Sequence, residues 1–132
     1  MRAICKHTNG NDLTLDQLPS GFNKETQTNL IMQKEYLVMG ILTFEQHLYY
    51  LVDEDSMPYW FPCILFEVSD SKINSNWHFK ILNDSESPLI ESIVGYFELC
   101  FLEGHNDRLM ERNSEDLQIY FKQKKAIEEI YY

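Results

Sequence analysis

Tyr36-Leu37-Val38-Met39-Gly40-Ile41-Leu42, a polar break over residues 43–46, and then Leu48-Tyr49-Tyr50-Leu51-Val52 form the stretch on which the fold turns. Both runs are rich in β-branched, aromatic and aliphatic residues, and a turn between them predicts an antiparallel hairpin. Asp53-Glu54-Asp55-Ser56 reads as the next polar turn, and Pro58-Tyr59-Trp60-Phe61 as a short aromatic strand. Pro62, which follows, cannot sit in a central ladder. Ile64-Leu65-Phe66-Glu67-Val68 fits a strand or an apolar plug, and Trp77-His78-Phe79-Lys80-Ile81 alternates as a strand should.

Upstream of this β-rich part (residues 34–81), residues 2–7 can form a short opening strand. Residues 8–29 are rich in Thr, Asn, Asp and Gly and read as a long loop with room for one helical turn. A loop of that length is expected to be mobile or to meet a partner. Downstream, residues 83–88 are polar, and residues 89–102 are apolar and fit a strand or a helix interrupted at Gly95. The helical C-terminal part is expected over about residues 105–131. Ser114 opens its clearest helix, with Glu115 and Asp116 in the first turn, where the dipole favours acids. Leu117, Tyr120, Phe121, Lys124, Ile127, Ile130 and Tyr131 then recur at helical spacing. The fold class expected is α+β: a small curled antiparallel sheet or SH3-like partial barrel with a C-terminal amphipathic helix, in one domain of 132 residues.

The chain carries 21 acids and 11 bases, and the surplus is local. Residues 45–116 hold fifteen acids and four bases; the rest hold six acids and seven bases. Such a surface repels nucleic acid and anionic membrane and attracts a basic protein. Cys5, Cys63 and Cys100 are widely spaced and set among apolar residues, which predicts buried, reduced thiols and a cytoplasmic protein. Residues 1–7 turn polar early, so no secretory leader is expected, and no apolar run approaches the roughly 20 residues of a membrane span.

Catalytic patterns are not found. His7, His47, His78 and His105 do not share a metal-ligand spacing, the five glycines form no phosphate-binding loop, and there is no nucleophile elbow. Asp53-Glu54-Asp55 lacks the glycine and distant glutamate of a calcium loop. A non-enzymatic protein without metal or cofactor is therefore expected. Aromatic residues bordering acids, as Tyr59 and Trp60 border residues 53–55, suit an interface of anchors within a polar rim.

Lys34-Glu35-Tyr36 with Val38 and Gly40-Ile41, the run Tyr49-Tyr50-Leu51-Val52-Asp53-Glu54-Asp55, Tyr59-Trp60-Phe61-Pro62, Leu65-Phe66-Glu67-Val68 with Asp70, and Trp77-His78-Phe79 make up a further pattern. Gly95-Tyr96, Glu98-Leu99, His105 and Leu109 extend it. It resembles the small bacterial immunity proteins of contact-dependent inhibition and related polymorphic toxin systems. The resemblance implies stoichiometric inhibition of a cognate toxin domain in the cytoplasm, with a basic nuclease as the expected partner. On charge, the expected partner-binding residues are Asp53, Glu54, Asp55, Glu67 and Asp70, with Tyr59 and Trp60 as anchors. A regulatory or adaptor module that binds another protein is the alternative; a small enzyme or ligand-binding barrel would need a pocket with converging polar groups.

Overall fold

The opening stretch divides between two sheets in the computed structural model, which describes all residues except 12, 20, 83–89 and 132. Its first part is β2 (Glu35–Leu37), which pairs with β1 (Arg2–Cys5); its second is β3 (Gly40–Phe44), which pairs with β4 (His47–Glu54). The change of sheet falls at Val38 and Met39. The Val38 N–H donates to the Met1 carbonyl at 3.0 Å, and the next N–H, of Met39, donates to the Leu51 carbonyl at 2.8 Å. The segment is apolar on both faces because it lies between two cores. Tyr36 and Val38 point into one, Leu37 and Met39 into the other.

The remaining strands are β5 (Met57–Pro62), β6 (Phe66–Asp70), β7 (His78–Ile81) and β8 (Ile90–Gly95). They complete a three-stranded sheet, β2-β1-β6, and an open five-stranded sheet, β5-β4-β3-β8-β7, antiparallel throughout. Pro58 and Pro62 sit in β5, an edge strand, as their missing N–H groups require. Three helices follow: α1 (Phe97–Phe101), α2 (His105–Met110) and α3 (Ser114–Tyr131). The five-stranded sheet is thus the middle layer. Tyr50, Val52 and Phe61 face the smaller sheet, and Leu42, Leu51 and Ile93 face the helices. The expected α+β class with a C-terminal helix holds; its β part is two open sheets.

Several local expectations shift by a few residues for physical reasons. The β4–β5 turn is Asp55 and Ser56 alone, with φ of 51° and 66°, the paired left-handed backbone of a two-residue hairpin. Asp53 and Glu54 belong to the strand. The described residues of 8–29 do form a long loop with a 3-10 turn at Leu15–Gln17, closed at its base by the Asn9–Gln27 bridge and by Thr28 N–H to the Thr8 carbonyl at 2.9 Å. Leu13, Leu18 and Leu30 are buried in the first core, so the loop is tied down by its own leucines. The apolar run after residue 89 is both strand and helix. β8 stops at Gly95 and α1 starts two residues on. Residues 83–88, the expected polar break, lie outside the described residues.

Gly40 and Gly95 face each other across β3 and β8, and Leu99 of α1 sits on the pair. A Cβ on either glycine would lie 2.5 or 2.6 Å from Leu99 Cδ2, so the absence of side chains there lets α1 pack against the sheet. On α3 the buried side chains are Asp116, Tyr120 and Ile127, while Phe121 and Ile130 of the expected apolar face are exposed. Asn113 caps this helix: its Oδ1 accepts from the N–H of Glu115 at 3.1 Å and of Asp116 at 3.2 Å.

Candidate partner-binding site

The β4–β5 hairpin brings five of the seven expected contact residues together. Asp53 pairs with Pro58, Glu54 with Met57, Val52 with Tyr59 and Leu51 with Trp60. Their side chains have different fates. The Asp53 carboxylate turns toward α3, where it accepts from the buried Tyr120 hydroxyl and from the Lys124 ammonium. Burial, and then the Asp53 charge, push the Tyr120 phenol well above its ordinary pKa, so it remains a donor. Lys124 is thus held by Asp53, and the last turn of α3 carries no base.

Glu54 and Asp55 hold the long loop: Glu54 Oε2 accepts from the Asn29 N–H at 2.6 Å, and Asp55 Oδ2 from Asn29 Nδ2 at 3.2 Å. Tyr59 is exposed with the Arg112 guanidinium 4.2 Å over its ring, and the same arginine donates to the Pro58 carbonyl at 2.7 Å. Trp60 is half-buried and donates through Nε1 to Asn106 Oδ1 at 2.7 Å. Glu54, Tyr59 and Trp60 also line an open groove of about 460 Å³ against the loop residues 26–29. Glu67 and Asp70 lie elsewhere, on β6 of the smaller sheet. Glu67 is exposed and 3.6 Å from Lys6, and Asp70 Oδ1 accepts from the Lys72 N–H at 3.0 Å.

A polar chain invisible to motif searching lies under the helices. Tyr96 Oη is 2.7 Å from His105 Nε2, His105 Nδ1 is 2.7 Å from Asp116 Oδ1, and Arg108 Nε donates to Asp116 Oδ2 at 2.9 Å. His105 is 0% and Asp116 3% exposed. Burial pushes the Asp116 carboxyl up, but the hydrogen bonds from Arg108 and His105 outweigh it and hold the group below its ordinary pKa. An ionised Asp116 only accepts, so His105 Nδ1 carries a proton; Tyr96, its pKa raised by burial, keeps its own and can donate to Nε2. The order Tyr–His–Asp resembles a nucleophilic relay, but sealed from solvent it acts as a clasp fixing α2 and α3 to the end of β8.

Among the described residues no group of three or more His, Cys, Asp or Glu could hold a metal ion. The three cysteines are unpaired, and burial pushes each thiol up, which keeps it protonated. Among the described residues no helix is long and apolar enough to cross a membrane.

Four exposed acids lie outside the expected set of contact residues: Glu103, Asp107, Glu111 and Glu115. They recur every fourth residue from the turn before α2 to the first turn of α3, a spacing that counting along the sequence would have found. No protein-family model, no curated protein and no solved structure matches the chain.

Proposed function

We propose that this protein is an immunity-type inhibitor that binds a basic protein partner, a toxin domain with nuclease activity, in a stoichiometric complex. One observation carries the reading: within the acidic segment both arginines are engaged by neighbouring groups of the fold, while most of the described acids stay exposed. Arg108 is held by Asp116, and Arg112 by the Pro58 carbonyl and the Tyr59 ring. Asp55, Glu67, Glu91, Glu103, Asp107, Glu111 and Glu115 are exposed. A surface of this kind raises the encounter rate with a cationic partner and competes with phosphate for a nuclease's basic cleft.

The test is co-purification with candidate basic nuclease domains, followed by nuclease protection at equimolar protein. Glu54→Lys with Asp55→Lys is expected to slow association by about tenfold at low salt and to flatten its salt dependence. Protection that is absent, or binding indifferent to salt, would overturn the proposal.

A further inference from the structure

A second groove, of about 520 Å³, opens where strands β7 and β8 meet α1 and α2. Ile90 and Ile93 of β8 line it with Phe101 and Leu102 at the end of α1, and Glu103 and Asp107 border it. Phe101 and Leu102 are 45% and 41% exposed, and Phe97, one turn earlier on α1, is 54% exposed. Large apolar side chains left at the surface beside charge mark an interface. Their wall is also rigid. The His105 N–H donates to the Leu102 carbonyl at 3.0 Å, and Arg108 bridges the Glu103 carbonyl, at 3.0 Å, and Asp116. The clasp described above thus holds residues 102–108 in place, so little ordering cost remains for binding.

Charge selects the occupant. Glu103 and Asp107 are exposed, one helical turn apart in sequence, against Lys80 alone among the lysines and arginines lining the groove. Glu98 is occupied by Gln123, at 3.0 and 3.1 Å. A lysine or arginine side chain can lay its aliphatic stem along Phe101 and Leu102 and place its charge at Glu103 and Asp107. We infer that this groove receives an amphipathic, Lys- or Arg-bearing segment of the protein partner, an assignment that rests on the basic-partner reading above.

The probe is a synthetic amphipathic Lys/Leu peptide titrated into the isotopically labelled full chain, with amide shifts followed by NMR. Glu/Leu and Lys/Ser peptides of the same spacing serve as controls. Shifts are expected to concentrate at residues 97–107, to weaken with salt, and to be absent with either control. Phe101→Ser, and separately Glu103→Lys with Asp107→Lys, should each weaken binding by about tenfold or more. Glu103 and Asp107 are exposed and Phe101 is 45% exposed against the His78 and Phe97 rings, so the amide spectrum of each variant without peptide, expected to keep native dispersion, separates lost binding from lost folding. Phe79→Ser should leave binding unchanged. Phe79 alternates with His78, whose ring meets Phe97 and Phe101 at 5.5 and 5.7 Å, so it points away from α1. Shifts confined to residues 53–60 or to Glu67 would overturn the groove and leave the basic-partner reading standing. Equal binding of the Glu/Leu peptide, or concentration-dependent shifts at residues 97–107 without peptide, would also overturn the groove, the latter in favour of a second copy of this chain. No response to the cationic peptide anywhere would count against both.

Discussion

Replacing Asp116 by alanine removes the acceptor shared by a fully buried histidine and an arginine. Two losses contribute. His105, fully buried, loses the partner of its Nδ1 at 2.7 Å, which costs about 1–3 kcal/mol. Arg108 loses its bond at 2.9 Å, but its side chain is 39% exposed and recovers hydration, so the buried histidine dominates the loss. The expected destabilisation is about 3 kcal/mol, at the lower end of values for a broken buried pair. In a chain of 132 residues this lowers Tm by about 10 °C. Urea unfolding should show a lower midpoint at unchanged m. Asp116→Asn, which keeps an acceptor without the charge, should lose less. The pH dependence has a definite sign. Asp116 is held below its ordinary pKa, so the unfolded chain takes up the proton first as pH falls below about 4. The advantage of the native chain over Asp116→Asn is therefore full above that pH and lost as pH falls through the folded value. A loss under about 1 kcal/mol for Asp116→Ala, or a gap that widens on acidification, would refute the clasp.

Three further substitutions probe other parts of the fold. Asp53→Ala leaves the buried Tyr120 hydroxyl without its acceptor and should cost about 1–3 kcal/mol in urea unfolding, with much less effect on partner association than reversing Glu54 and Asp55. Gly40→Ala places a Cβ 2.5 Å from Leu99 Cδ2 and 3.2 Å from the Trp60 ring, and should destabilise by about 1–3 kcal/mol; the same change made in a Leu99→Ala background should cost distinctly less. Ser56→Gly relieves a left-handed backbone at φ 66° and should raise the unfolding midpoint, by about 0.4–1 kcal/mol, unless the β4–β5 turn differs from the one described.

The hairpin and the last helix were legible because their signals are local: a turn between β-prone runs, and apolar spacing after a polar start. The transfer of one segment between two sheets was not. An apolar run such as Leu37-Val38-Met39 reports that both faces are buried, without reporting that each faces a different core. The role of Asp53 was equally hidden. Its partner Lys124 is 71 residues away, and in sequence the acid is indistinguishable from its neighbours Glu54 and Asp55. Asp116 shows the same limit from the other side. A first-turn acid suits a helix dipole wherever it points, and only the packing of α2 turns it into the buried partner of His105.

These placements alter what the net charge means. A sum of acids and bases treats every charge as equally visible to a partner, but the fold sorts them. Asp53 and Asp116 are drawn inward, and each draws a base with it, Lys124 and Arg108 respectively. Arg112 is directed to the β5 backbone and the Tyr59 ring. Each inward pair removes equal and opposite charge, so the absolute excess is unchanged while the acids left outside lose nearby counter-charges. The surface around α2 is where this shows most. Glu103, Asp107, Glu111 and Glu115 stay exposed, while Arg108 and Arg112, the two bases of that region, are occupied. Asp116 pairs with Arg108, whose Nη1 also donates to the Glu103 carbonyl at 3.0 Å, so the residue that stabilises the helical layer also balances the cation beside the groove. Loosening the clasp should therefore weaken a cationic ligand twice over, by releasing the groove wall and by leaving the Arg108 charge unbalanced beside it. Asp116→Asn is the variant that separates stability from charge placement. Studied below its unfolding transition, it should bind the Lys/Leu peptide less tightly than the native chain, with a shallower dependence on salt. Unchanged affinity and salt dependence in a folded Asp116→Asn chain would show that the clasp and the groove are independent.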